Sequence, residues 1–102
     1  MAKNVFISVP LSGRTNMEIW EDLVQAASEY NELHPGEEIL YFDNNSCVTD
    51  KPHKDGKKPL LYLAEALQTM ALCDDVIFAG NWKEAKGCQV ERLVYDLYFK
   101  ES

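Results

Sequence analysis

The chain has 102 residues, 46% of them hydrophobic and 26% charged, with a formal net charge of −7. That length suits one domain around one core, and the composition is that of a folded globular protein, not a disordered one. The acidic balance argues against a nucleic acid polymer as partner, because no surplus of Lys and Arg exists to displace counterions from a phosphate backbone.

No apolar run approaches the roughly 20 residues of a membrane span, so no membrane association is expected. Met1-Ala2-Lys3-Asn4 leads into a strand without the apolar stretch of a signal peptide. Three cysteines without a CxxC pair point to free thiols in a reducing compartment, so a cytoplasmic location is expected.

Strand-like and helical segments alternate along the chain. Residues 4–9 (NVFISV) form a short β-branched run closed by Pro10, which predicts a first strand. Thr15 and Glu18 then give the T-x-x-E spacing of a capping box. In the helix this opens, Trp20, Leu23, Val24 and Ala27 recur at helical spacing and are expected to face the core.

His34-Pro35-Gly36 stops that helix, and residues 38–42 (EILYF) read as the second strand. Residues 43–58 are polar and aperiodic, and so long an irregular stretch in a small domain is expected to be a lid or disordered. The second helix follows Pro59, with Leu60, Leu63, Ala64, Leu67 and Ala71 on one face. Residues 75–79 (DVIFA) are continuously apolar after Asp75, as suits a buried parallel strand. A loop begins at Gly80-Asn81-Trp82, and the last helix carries Val90, Leu93, Val94, Leu97 and Tyr98 at helical spacing, with Tyr95 and Phe99 beside them.

Two β-α-β units with right-handed crossovers place the first strand between the second and third. The expected fold is therefore a single α/β domain over residues 1–102: a small, flavodoxin-like, doubly wound parallel sheet in order 2-1-3, with helices on both faces. In such sheets ligands bind at the carboxyl ends of the strands where the winding reverses. Two segments meet there, from Ser8 to Arg14 and from Gly80 to Glu91.

Glu91 is the residue on which a functional reading turns. A carboxylate at that end of the sheet can attack a sugar carbon; equally, it can be a helix-start glutamate that binds backbone N–H groups. In the first loop Ser8, Ser12, Gly13 and Arg14 combine hydroxyls, a close-approach glycine and a guanidinium able to fork onto phosphate. A plain helix-capping turn accounts for Ser12, Gly13 and Thr15 as well. Trp82, in a polar stretch, is either a stacking face for a planar ligand or a packing residue.

Lys51, Lys54, Lys57 and Lys58 crowd one loop with His53; they form either a local anion site or a solvated loop. Cys73 reads as core. Cys88, at a helix start, is open to a lowered pKa but has no histidine partner nearby. His34 and His53 read as structural. No metal-ligand spacing occurs, so neither a metal nor a cofactor is expected.

With these residues in place, the chain resembles the nucleoside 2-deoxyribosyltransferase-like superfamily, most closely its short phage and bacterial members of unassigned function. The resemblance rests on three stretches: Val5-Phe6-Ile7-Ser8-Val9-Pro10-Leu11-Ser12-Gly13, Leu72-Cys73-Asp74-Asp75-Val76, and the segment from Gly80 through Trp82 and Gly87 to Glu91. It implies that Glu91 attacks the anomeric carbon of a nucleoside or nucleotide and releases the base. It further implies that the first loop lines the sugar or its 5′-phosphate, so Ser8, Ser12, Gly13 and Arg14 are taken as the sugar-phosphate site, Gly87 as a further substrate-binding residue and Trp82 as the platform for the base.

The chain departs from the pattern at two places. Ala66 stands where active relatives usually carry an aspartate, and Ala85 where another often precedes the nucleophile. The expected function is N-glycosidic cleavage or transfer on a small nucleoside or nucleotide. The alternative is a non-catalytic protein that senses or sequesters such a ligand in the same pocket. Self-association as a homodimer or larger assembly is also expected, since the last helix carries more apolar groups than one core-facing stripe requires.

Overall fold

In a computed structural model of the protein, residues 2–44 and 54–99 are described. Their order is β1 (Lys3–Ser8), α1 (Asn16–Leu33), β2 (Ile39–Asp43), α2 (Lys58–Met70), β3 (Asp75–Phe78), one 3₁₀ turn (Trp82–Glu84) and α3 (Lys86–Tyr98). The sheet is three-stranded in order β2-β1-β3, and β1 pairs in parallel with both neighbours. This is the expected small α/β, flavodoxin-like arrangement. Most of the expected lid, residues 45–53, lies outside the described residues, as do Lys51 and His53.

Alternation along β1 divides its side chains between two cores. Ile7 and Val9 pack with Ile19 and Ala26 of α1 and with Ala79. Phe6 points to the other face, among Ala66 and Met70 of α2 and Val76, with Val94 and Tyr95 of α3 at the rim. Ser8 shares the face of Phe6, and it is fully buried. Its strand register thus aims its hydroxyl at the α3 side.

The capping box forms as expected: the Thr15 side chain accepts from the Glu18 backbone, and the Glu18 carboxylate accepts from the Thr15 N–H. Helix α1 is then tied to both outer strands. The Tyr30 hydroxyl donates to Asp75 at 2.8 Å, and the Tyr41 hydroxyl donates to Asn31 at 2.7 Å.

The three expected helix faces hold in part: Leu23 and Ala27 of α1, Leu67 of α2 and Val94 of α3 pack against the cores, but other residues are buried most deeply. On α1 the buried residues are Ile19, Ala26 and Tyr30, whereas Trp20 is 60% exposed and Val24 also faces solvent. On α2 the buried pair is Ala66 and Met70, while Leu60 is exposed. On α3, Cys88 and Glu91 are buried, and Val90, Leu93, Leu97 and Tyr98 are exposed. The cause is common to all three. Each helix is apolar over more than one stripe, and close approach to a three-stranded sheet favours the small residues Ala26, Ala66 and Cys88 over larger neighbours.

Candidate active site

A cleft of about 570 Å³ opens at the carboxyl ends of β1 and β3. Pro10, Ser12 and Arg14 form one wall and Gly80, Asn81, Glu84 and Ala85 the other, with Glu18 and Asp22 of α1 contributing as well. The cleft lies at the switch point where β1 runs between its two neighbours, as expected for an open parallel sheet.

Arg14 is engaged within the chain. Its Nη2 donates to Asp22 Oδ2 at 2.7 Å and to the Glu18 carbonyl at 3.3 Å, while Nη1 reaches the Pro10 carbonyl at 3.5 Å. The hydrogen bond to Asp22 raises the guanidinium above its ordinary pKa, against the smaller effect of burial. Glu18 is held below its ordinary value, chiefly by the Thr15 N–H, so it is ionised. Asp22 also presses against Gly80, which adopts φ +57 and whose added Cβ would meet Asp22 Oδ2 at 2.4 Å. Only glycine suits both the left-handed backbone and that close approach. One carboxylate thereby joins the first loop, α1 and the turn after β3.

Glu91 does not line this cleft. It is 2% exposed, and its Oε1 accepts a 2.5 Å hydrogen bond from Ser8 Oγ. Burial pushes the carboxyl up to about 7, and the Ser8 hydrogen bond opposes the rise. The helix-start reading of Glu91 is therefore corrected. It is the sixth residue of α3, beyond the first turn in which the dipole acts, and desolvation outweighs any help from the helix end. Cys88 packs against the same pair. Its thiol is pushed up to about 11, chiefly by burial, the reverse of the lowering that a helix start suggests.

The remaining sequence-derived candidates separate. Ser12 is exposed on the cleft wall, and Gly13 makes the turn before Arg14 at φ +71. Gly87 is exposed at the second position of α3, outside the cleft lining. Trp82 is not part of the cleft lining, and its ring packs on Phe78 at 5.1 Å between centroids. The Arg92 guanidinium lies 5.3 Å from its ring centre, so Trp82 anchors α3 rather than floors the cleft.

Asn81 and Glu84 lie in the 80–91 segment expected at the crevice but were not singled out within it, and Asp22 was missed because it lies in an ordinary polar context that only the folded chain brings to the opening. Asn44 was missed likewise. Its side-chain amide accepts from the Val9 N–H at 2.9 Å and donates to the Val9 carbonyl at 2.8 Å, which extends the β1 ladder by one polar rung.

The matching stretch before β3 has a structural task. The Asp74 carboxylate accepts from the Asn4 N–H at 2.8 Å, at the end of the sheet opposite the cleft. Ala66, 1% exposed, is embedded among Phe6, Met70 and Val76. Ala85, by contrast, lines the cleft beside Glu84. Among the described residues no group of three His, Cys, Asp or Glu side chains is placed to hold a metal ion, and no helix is long and apolar enough to cross a membrane.

Fold and cleft together define a small α/β protein with a switch-point site. No protein-family model, curated protein or solved structure matches the chain.

Proposed function

We propose that the chain binds a small nucleoside or nucleotide in the switch-point cleft and cleaves or transfers its N-glycosidic bond, with Glu91 as nucleophile. The observation that carries this reading is the buried Ser8–Glu91 hydrogen bond, which ties one carboxylate oxygen to the last residue of β1. In the first step the ionised Glu91 carboxylate forms a bond to the anomeric carbon. The glycosidic bond breaks, and its electron pair leaves with the base, which takes up a proton. In the second step water or another base attacks the same carbon and releases Glu91, the two-step course of retaining glycoside chemistry. Ser8 orients the carboxylate, and Ser12 and Asn81 supply hydrogen-bonding groups at the opening.

The test is chromatographic detection of free base after incubation with a panel of nucleosides and their 5′-monophosphates. The wild-type chain releases base and Glu91→Gln does not. Release by Glu91→Gln at the wild-type rate would remove Glu91 from the mechanism.

One observation favours the alternative of a non-catalytic binder. Glu91 is buried and stands outside the cleft lining, so a ligand seated as the chain stands meets Ser12 and Asn81 before it meets the carboxylate. A thermal-shift response to the same panel without base release is the signature of that alternative.

We further propose that a second copy of the chain docks on α3. Val90, Leu93 and Leu97 face solvent at the three-and-four spacing of a heptad seam.

A further inference from the structure

We propose that Asp22 is the specificity-determining residue of the cleft. It holds the Arg14 guanidinium and keeps the opening negative, so that the ligand is an uncharged nucleoside and a 5′-phosphate is rejected. This inference rests on the nucleoside reading above and narrows it.

At the sequence level Arg14 is the group most suited to fork onto a phosphate. In the fold the guanidinium is already paired: Nη2 donates to Asp22 Oδ2 at 2.7 Å and to the Glu18 carbonyl at 3.3 Å, and a Glu18 carboxylate oxygen lies 3.9 Å from Nε. A phosphate arriving at the first loop would have to displace Asp22 from the guanidinium. The Asp22 carboxylate occupies space that a side chain at position 80 would take, so Gly80 leaves it free to pair with Arg14.

The charge inventory of the opening points the same way. Among the described residues that line it, Arg14 is the single cation, set against Glu18, Asp22 and Glu84, on a chain whose formal net charge is −7. A dianionic phosphate would bring two further negative charges into that field. A sugar hydroxyl, in contrast, donates to carboxylate oxygens and gains from them. The cleft therefore matches ligands rich in hydroxyl donors and lacking negative charge.

The experiment is calorimetric titration of the wild-type chain and of Asp22→Asn with deoxynucleosides, their 5′-monophosphates and inorganic phosphate. The amide keeps the shape of Asp22 but loses its charge and loosens its hold on Arg14. Wild type is expected to bind the nucleoside about tenfold more tightly than its monophosphate and to show no uptake of inorganic phosphate. Asp22→Asn is expected to shift that ratio about tenfold or more toward the monophosphate while still binding the nucleoside. Adding Arg14→Ala to Asp22→Asn should abolish the gain, which a purely structural role for Asp22 does not predict.

Glu84→Gln, outside the Arg14 pair, should move the ratio in the same direction by a smaller factor, and it carries the test if Asp22→Asn does not fold. A wild-type chain that prefers the monophosphate, or variants that leave the ratio unchanged, would overturn the specificity inference and leave nucleoside binding standing. A wild-type chain that binds neither ligand would overturn both.

Discussion

Ser8 Oγ donates a hydrogen bond to Glu91 Oε1 across 83 residues of sequence. The first residue closes the central strand, and the second lies on the final helix, so the bond exists only once both β-α-β units are complete. It satisfies the two buried polar side chains of the core, Ser8 and Glu91. Among the described residues, no buried side-chain nitrogen or oxygen lacks a hydrogen-bond partner.

The first prediction concerns pH. Folding raises the Glu91 pKa from 4.5 to about 7, so between those values the folded chain holds a proton that the unfolded chain has released. Stability therefore falls as pH rises across this window: the penalty is absent below the lower value and fully present above the upper. Its size is about 3 kcal/mol at roughly 1.4 kcal/mol per unit. Thermal melts should show Glu91→Gln gaining on wild type between about pH 5 and about pH 8. A constant gap across that range would mean that Glu91 does not carry the titration. On the proposed mechanism, the rate of base release rises through the same range as the nucleophile ionises.

Ser8→Ala should destabilise the fold by about 1–3 kcal/mol, because it leaves a buried carboxyl without its donor. Since the Ser8 bond is what opposes the effect of burial on Glu91, the pH-dependent loss of stability should also move to higher pH. Denaturant titrations at several pH values measure both effects. An unmoved pH profile would show that the bond does not couple to ionisation.

Ala66 and Ala85 should respond to an introduced aspartate in opposite ways. Ala66→Asp places a carboxylate among Phe6, Met70 and Val76 and should cost about 3 kcal/mol or more, with no gain in activity to offset it. Ala85 is the N-cap of α3, with extended φ and ψ of −104 and 122 and no side-chain cap. Ala85→Asp should therefore add about 1 kcal/mol by capping the helix, and it also brings an acid to the cleft. If Ala85→Asp raises base release, the missing group is the proton donor for the leaving base. Equal destabilisation by the two substitutions would contradict the placement of both residues.

Self-association through α3 predicts concentration-dependent sedimentation at micromolar protein. Leu93→Lys, at a residue 58% exposed, should return the chain to a monomer of 11.6 kDa without lowering its melting temperature at high dilution. A wild-type chain that sediments as a monomer throughout removes the proposal.

The sequence by itself determined the order of elements, the parallel sheet and its 2-1-3 arrangement. Those follow from local signals: β-branched runs, the Thr15–Glu18 box, the stop at His34-Pro35-Gly36, and a chiral rule that leaves one topology for two crossovers. It also pointed to Ser8, Ser12, Arg14 and Glu91 at the right end of the sheet.

Tertiary structure alone decided what each of these residues faces. Periodicity fixes which residues share a helical stripe, but not which of two apolar stripes meets the sheet. Thus Trp20 and Leu93 look outward while Ala26 and Glu91 look inward. Arg14 reads as a free cation until α1 sets Asp22 2.7 Å from it, and Trp82 reads as a platform until Arg92 and Phe78 cover it. Glu91 reads as a solvated helix-start acid until β1 and α3 close over it. Burial and charge pairing are sums over distant neighbours, and no window of local sequence contains them.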